Sequence, residues 1–398
     1  MIVGSNIGNF FAYLYHIIFG RILTKAEYGD LAAFLAIIGM MGALLGFVGL
    51  VIVKFVASSD EKDIPSLMKW FFDRTLFFVS IISFIFFLLS HQLSELLNMQ
   101  SNLIYLAPIM FMVMSIVFLL RSFAQGLLKF MSLVVINNIN LMGRICFGIV
   151  FVYLGWSSFG AGLGLFFSTL LAGFLYYYVL RKFKMFSATA KIKVARDIIS
   201  YSIPMFVASF SNTFLITIDL LMVKHFFAPE IAGEYSAISV IGKIIFYGTA
   251  PVGAVMFPMI SSRFAKKQKV MPIFFLSIVF TLLIGAAVTI GYIVLPSLAI
   301  IPLYGESYLS IARYLGWYAI FITVYAAVNI IVNFYQSISK PRIGYLLLIT
   351  AIAQSIAILM FHSTIIELIQ SMIVVITATL IMLIIFMLRD KDVKLSHG

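Results

Sequence analysis

Charge is what this chain has least of. Its 398 residues include 15 Asp or Glu and 27 Lys or Arg, together 11%, where a soluble domain carries about 25%. With 63% hydrophobic residues and a mean hydropathy of +1.12, there is too little polar surface to cover the chain in water. That excludes a soluble globule and points to a polytopic membrane protein. Cysteine is limited to Cys146, inside an apolar run, which excludes a disulfide framework and a thiolate metal site. The five histidines (His16, His91, His225, His362 and His397) show no metal-ligand spacing, and no His-Glu-x-x-His occurs. No Gly-x-x-x-x-Gly-Lys-Ser/Thr loop is present, so the chain does not hydrolyse nucleotide itself, and no cofactor is expected. Large polar loops are also lacking. A membrane polysaccharide polymerase or ligase carries catalytic Arg and His on a large outward loop, so an enzyme is not expected. The net charge of +12 would suggest nucleic acid in a soluble protein. Here it fits Lys and Arg gathered in cytoplasmic loops, and no nucleic-acid partner is expected. The chain begins almost at the membrane, and its first apolar stretch reads as a span, not a signal peptide.

A span needs about 20 apolar residues. Twelve stretches qualify: 2–19, 31–53, 72–90, 103–120, 133–153, 159–180, 199–223, 235–260, 272–300, 313–337, 343–361 and 365–388. The ninth is long enough to hold a tilt or a break. With the N-terminus in the cytoplasm, inward connections carry Lys54, Lys62, Lys69 and Arg74, then Arg121 and Lys129, then a basic cluster from Arg181 to Arg196. Arg263 to Lys269, Lys340 with Arg342, and Arg389 to Lys394 follow. Outward connections carry only Arg21, Lys25, Lys224 and Arg313. This alternation predicts an even number of spans with both ends inside.

The chain also repeats itself. Leu23-Thr24-Lys25-Ala26-Glu27-Tyr28-Gly29 resembles Phe227-Ala228-Pro229-Glu230-Ile231-Ala232-Gly233, and Phe123-Ala124-Gln125 with Lys129 resembles Phe334-Tyr335-Gln336 with Lys340. The offsets are similar, as expected of two parallel six-helix repeats. The fold expected is an all-α integral membrane protein with twelve transmembrane helices in two lobes. The N-lobe is 1–180, a basic cytoplasmic linker 181–198, the C-lobe 199–390 and a cytoplasmic tail 391–398. Gly39, Gly42, Gly46 and Gly49 on the second span suit tight helix packing. Pro108, Pro251, Pro258 and Pro296 are candidate kinks.

Few ionisable residues fall within spans. Arg144 lies near the middle of the fifth, and Lys243 about 12 Å into the eighth at 1.5 Å per residue. A charge at a helix centre costs roughly 2.5–3.5 kcal/mol on insertion scales, so both require a water-filled cavity or an acidic partner. Arg21 and Arg121 stand at span ends, where they snorkel to the interface or line a substrate path. Asp219 has three readings: a structural pair with Lys243 or Lys224, a proton or Na⁺ coupling site, or an interface residue. It sits one turn from the outer end of its span, which suggests partial burial. The interior charges sum to positive, which suits an anionic substrate.

Gly20-Arg21-Ile22-Leu23-Thr24-Lys25-Ala26-Glu27-Tyr28-Gly29 resembles the Ala-Arg-x-Leu-Gly-x-x-x-Tyr-Gly signature of the polysaccharide, or oligosaccharide-lipid, flippases. Ser200-Tyr201-Ser202-Ile203-Pro204 resembles the Tyr-x-x-Pro start of their seventh helix. Ile218-Asp219, Gly233-Glu234-Tyr235 and Phe257-Pro258 resemble their second half, and Leu303-Tyr304-Gly305-Glu306-Ser307-Tyr308 their Leu-x-Gly-x-x-Tyr loop. Gly20 and Thr24 depart from the signature. The resemblance covers nearly the whole chain in order. It implies a multidrug/oligosaccharidyl-lipid/polysaccharide exporter fold, with two lobes alternating around a cationic cavity in the inner, or plasma, membrane. The implied partner is an isoprenoid pyrophosphate-linked oligosaccharide, flipped from the inner to the outer leaflet for surface polysaccharide such as lipopolysaccharide. Arg144 and Lys243 would then meet phosphate or acidic sugar, Arg21 would line the outer opening, and Asp219 would pair or couple to H⁺ or Na⁺. A drug or metabolite antiporter of the same fold is the alternative; it would favour acidic groups in its cavity.

Overall fold

The computed structural model describes residues 2–60, 63–183, 196–338, 340 and 343–390. Most of the expected linker and all of the expected tail lie outside them. Among the described residues, nine helical stretches are long and apolar enough to cross a membrane, and Phe10–Ile22 and Gly344–Met360 are shorter apolar helices. The chain is a multi-pass, all-helical membrane protein. Two compact units are present: Met1–Phe206 with Phe227–Gly233, and Val207–Phe226 with Glu234–Gly398.

The first unit contains α1 (Ile2–Ile22), α2 (Lys25–Ala43), α3 (Gly46–Ser58), α4 (Ile64–Leu88), a short α5 (Ser90–Leu96), α6 (Ser101–Gly126), α7 (Phe130–Phe151) and α8 (Ser157–Leu180). A capping box starts α2: Thr24 Oγ1 accepts from Glu27 N at 3.3 Å, and Glu27 Oε2 accepts from Thr24 N at 2.9 Å. It satisfies two backbone donors that a helix start leaves open. Asp30, on the next turn, accepts from Gln100 N at the head of α6, 3.3 Å away. The span expected at 31–53 is broken at Leu44-Leu45 between α2 and α3. Gly42 and Gly49 face Met114 and Phe118 of α6, whereas a Cβ at Gly39 would meet nothing. Close packing therefore holds for part of the glycine row.

Between α7 and α8 the chain folds back through Gly155, whose φ of +89° is open to glycine at no steric cost. The hairpin closes because Gly148 and Gly164 put the two backbones in contact; a Cβ on Gly164 would overlap Gly148. Segment Phe227–Gly233 docks on the start of α2. A Cβ at Gly233 would overlap the Lys25 carbonyl, and one at Gly29 would come 2.9 Å from Gly233 N. The matching glycines of the two sequence repeats thus lie face to face.

The second unit contains the end of α9 (Arg196–Leu215), α10 (Ile218–Phe226), most of α11 (Pro229–Ala265), α12 (Met271–Val294), α13 (Pro296–Tyr304), α14 (Ala312–Ser337), α15 (Gly344–Met360) and α16 (Ile365–Arg389). Its core is α14, buried along most of its length. Two expected spans are broken here. The stretch 272–300 ends α12 at Val294 and restarts at Pro296, because proline lacks an N–H and excludes helix from the residue before it; Leu295 has φ −133° and ψ 57°. The stretch 199–223 breaks at Ile216-Thr217 between α9 and α10. The Leu215 carbonyl beside that break is taken up by a side chain: Gln354 Nε2 donates to it at 2.8 Å. Such satisfaction is what an interrupted helix in lipid requires. Pro108, Pro251 and Pro258 leave α6 and α11 continuous.

The core is apolar, and large apolar side chains also cover the outside, unlike a water-soluble fold. Phe77, Phe78 and Phe84 of α4 are each more than 60% exposed, forming an apolar face for lipid. Polar contacts tie helix ends together. Ser310 Oγ donates to Glu234 Oε1 at 2.7 Å, tying the segment before α14 to α11, much as Asp30 ties α6 to α2. Lys340 Nζ meets both oxygens of Asp390, at 2.6 and 2.8 Å, and anchors the end of α16.

Candidate functional site

In the first unit, Arg144 sits about 20 Å along α7 from the turn that joins it to α6. Its guanidinium carbon lies 4.8 Å from the centroid of the Tyr15 ring, a cation–π contact worth about 0.5–2 kcal/mol. Tyr15 is itself fixed: it is fully buried and its OH donates to Ala161 O at 3.2 Å. Arg144 Nε is buried without a hydrogen-bond partner, and among the described residues no carboxylate pairs with this arginine. Arg121 is exposed, close to the end of α6, with Tyr176 near enough to act on it electrostatically. It therefore lies at a different depth from Arg144. Arg21 is exposed at the end of α1. Both terminal arginines have the exposure that snorkelling requires.

In the second unit the break between α9 and α10 organises the site. It puts Asp219 in the first turn of α10, where the helix macrodipole favours negative charge. The side chain is 0% exposed, not partly buried as its distance from the span end suggested. The reason is tertiary: α11 and α14 each bring a tyrosine over it. Tyr235 OH and Tyr318 OH both donate to Asp219 Oδ2, at 2.8 and 3.0 Å. The rings meet edge to face at 5.8 Å. Tyr318 has spent its one proton on the carboxylate, so Ser239 Oγ, 3.0 Å away, is the donor to its oxygen. Gly242 makes this possible, since a Cβ there would overlap the Tyr318 ring. Asp219 Oδ1 is buried with no hydrogen-bond partner.

Neither expected pairing of Asp219 is made as an ion pair. Lys224 is buried at the other end of α10, and residues five apart on a helix do not share a face. Lys243 is partly buried one helix away and feels the carboxylate electrostatically, without a salt bridge.

Sequence reasoning missed Tyr318 and the polar row below it on α14. Tyr325 donates to Asn212 on α9, and Asn329 Nδ2 donates to the same Asn212 side chain. Asn333, a turn further on, lines a cavity of about 370 Å³ between α11 and α14. Two asparagines four residues apart in an apolar helix were the legible signal.

The profile of a family described as polysaccharide biosynthesis protein matches residues 1–264. No curated protein sequence matches the chain. Among solved structures, it is similar to lipid II flippase MurJ in an inward closed conformation: 15% identity, 100% of this chain, 90% of that one, TM-score 0.69. It is likewise similar to an inward-facing multidrug resistance MATE family transporter of the MOP superfamily: 13% identity, 98% of this chain, 96% of that one, TM-score 0.69. The MATE multidrug transporter DinF-BH, solved as a complex, gives 16% identity, 98% of this chain, 94% of that one, and TM-score 0.69. At these identities the likeness establishes the fold alone, the one that these transporters and the flippase share. The profile match covers well over half of the sequence, and the chain belongs to the polysaccharide biosynthesis protein family.

Proposed function

We propose that the chain is an alternating-access flippase. It carries an isoprenoid pyrophosphate-linked oligosaccharide from the inner to the outer leaflet of the cell membrane for surface polysaccharide assembly. The observation that carries this reading is Arg144, a guanidinium in the interior of α7 with a buried Nε and no carboxylate partner among the described residues. A charge so placed needs an anion or water, and a diphosphate or acidic sugar supplies the anion. Lys243 serves the same purpose in the second unit, and exposed Arg21 and Arg121 guide the anionic headgroup at the membrane faces. Asp219, with one buried oxygen left without a hydrogen bond beside two phenols, is the H⁺ or Na⁺ coupling group.

The topology proposed with it has twelve passes and both termini in the cytoplasm. The 54-residue element Phe130–Phe183 counts as two passes because it folds back at Gly155, and the two short apolar helices complete the set. The lobes are 1–180 and 199–390, joined by the basic segment 181–198. The chain performs no catalysis in this reading.

The fold also carries drug transporters, so the test must separate the cargoes. Arg144→Gln in cells that depend on the chain is expected to abolish surface polysaccharide at normal protein level. Normal polysaccharide in that variant, or drug efflux without a polysaccharide defect on deletion, would overturn the proposal.

A further inference from the structure

We infer that the cavity between α11 and α14 is a binding subsite for an uncharged sugar ring. The inference rests on the flippase reading and adds where the neutral part of the cargo is held. The cavity measures about 370 Å³, within the size range of small-molecule sites. Its walls include Phe246, Phe257, Thr249, Gly253, Asn329 and Asn333, and none of its lining residues is ionisable. That lining does not suit a diphosphate or a uronic acid, whose burial needs a counter-charge. It does suit hydroxyl groups, because an amide side chain offers two donors and one acceptor with two lone pairs. The aromatic rings supply flat apolar faces for the C–H side of a pyranose.

The site is built in advance. Asn329 is oriented by its bond to Asn212, which Tyr325 also holds. Asn333 makes no hydrogen bond among the described residues. Its Nδ2 lies 3.4 Å from where a Cβ on Gly253 would stand, so the glycine keeps the amide accessible from α11. Thr249 is turned away, its hydroxyl bonding the Ile245 and Phe246 carbonyls at 3.0 Å. The two asparagines are therefore the groups that read the ligand. Tyr318, Tyr325, Asn329 and Asn333 recur every seven or four residues along α14, so the sugar contacts and the tyrosine on Asp219 share one helix face. On the topology above, this cavity lies in the cytoplasmic half of α14, the side from which cargo is loaded.

The test uses the full-length chain in nanodiscs with two probes, polyprenyl diphosphate and polyprenyl diphosphate–glucose, with affinity measured for each. Wild-type protein is expected to bind the glucosylated lipid more tightly. Asn333→Leu should weaken that lipid by about five- to tenfold, the loss of one or two neutral hydrogen bonds, and leave the bare lipid unchanged. Gly253→Leu, which fills the cavity from the other helix, should do the same. Arg144→Gln should weaken both lipids equally. Equal affinity of wild type for the two lipids, or no selective effect in either cavity variant, overturns the subsite and leaves the flippase reading standing. Failure of wild type to bind either lipid overturns both. Thermal unfolding of each variant separates lost recognition from lost folding.

Discussion

Replacing Asp219 by asparagine removes a charge and almost nothing else. The two phenolic hydrogen bonds to Oδ2 are worth about 1.5–3 kcal/mol each while the acceptor is charged, and about 0.5–1.5 kcal/mol each with a neutral amide. The substitution therefore gives up roughly 2–3 kcal/mol of hydrogen bonding. It also gives up about 0.3–1 kcal/mol from the α10 N-terminus. Against this stands the desolvation of a carboxylate that is 0% exposed, several kcal/mol even after relaxation. The two sides are comparable, so Asp219→Asn should unfold within about 1–2 kcal/mol of wild type. Asp219→Ala is different, because it leaves two buried phenols unsatisfied at about 1–3 kcal/mol each. On the proposed coupling role, this charge serves transport and not stability. In liposomes, flipping of a fluorescent polyprenyl diphosphate-linked sugar under an imposed pH or Na⁺ gradient should fall to background in Asp219→Asn. If that variant transports like wild type with the same gradient dependence, Asp219 is not the coupling group.

Tyr235→Phe and Tyr318→Phe each remove one donor to the same oxygen, so each should cost about 1.5–3 kcal/mol. A double-mutant cycle on thermal unfolding should show that the two losses do not add; strict additivity would separate the two bonds. Gln354→Leu strips the Leu215 carbonyl of its donor and should destabilise by about 1–3 kcal/mol, while an unchanged melting temperature would mean the break between α9 and α10 is satisfied another way. Gly233→Ala drives a methyl into the Lys25 carbonyl and should lose folded protein in size-exclusion yield. Gly29→Ala, whose Cβ has more room, should be milder, and the reverse order would contradict the packing of the two repeats.

Much of the fold was legible because lipid imposes simple rules. A backbone with no water to bond must be helical, so apolar runs separated by basic loops mark the helices. The glycine motifs at Gly29 and Gly233 read as copies of one another for the same reason, since each opens a helix after a short turn. The helix breaks were less legible. Pro296 announces the one after α12 through its missing N–H. The break at Ile216-Thr217 has no proline or glycine, and it persists because Gln354, more than a hundred residues away, takes up the Leu215 carbonyl.

By itself, then, the sequence determined a membrane-embedded helical chain, its duplicated motifs, its family likeness and the scarcity of interior charges. Those properties follow from composition and local spacing. Tertiary structure alone decided what the charges meet. Asp219 lies a turn from the end of its span, yet it is sealed by Tyr235 and Tyr318 because α11 and α14 cross over the start of α10. Arg144 rests on Tyr15 with no acid beside it among the described residues. Asn329 and Asn333 become a cavity wall only because small residues on α11 leave space opposite them. Contacts of this kind depend on which helices meet, and spacing along a single chain carries no record of that.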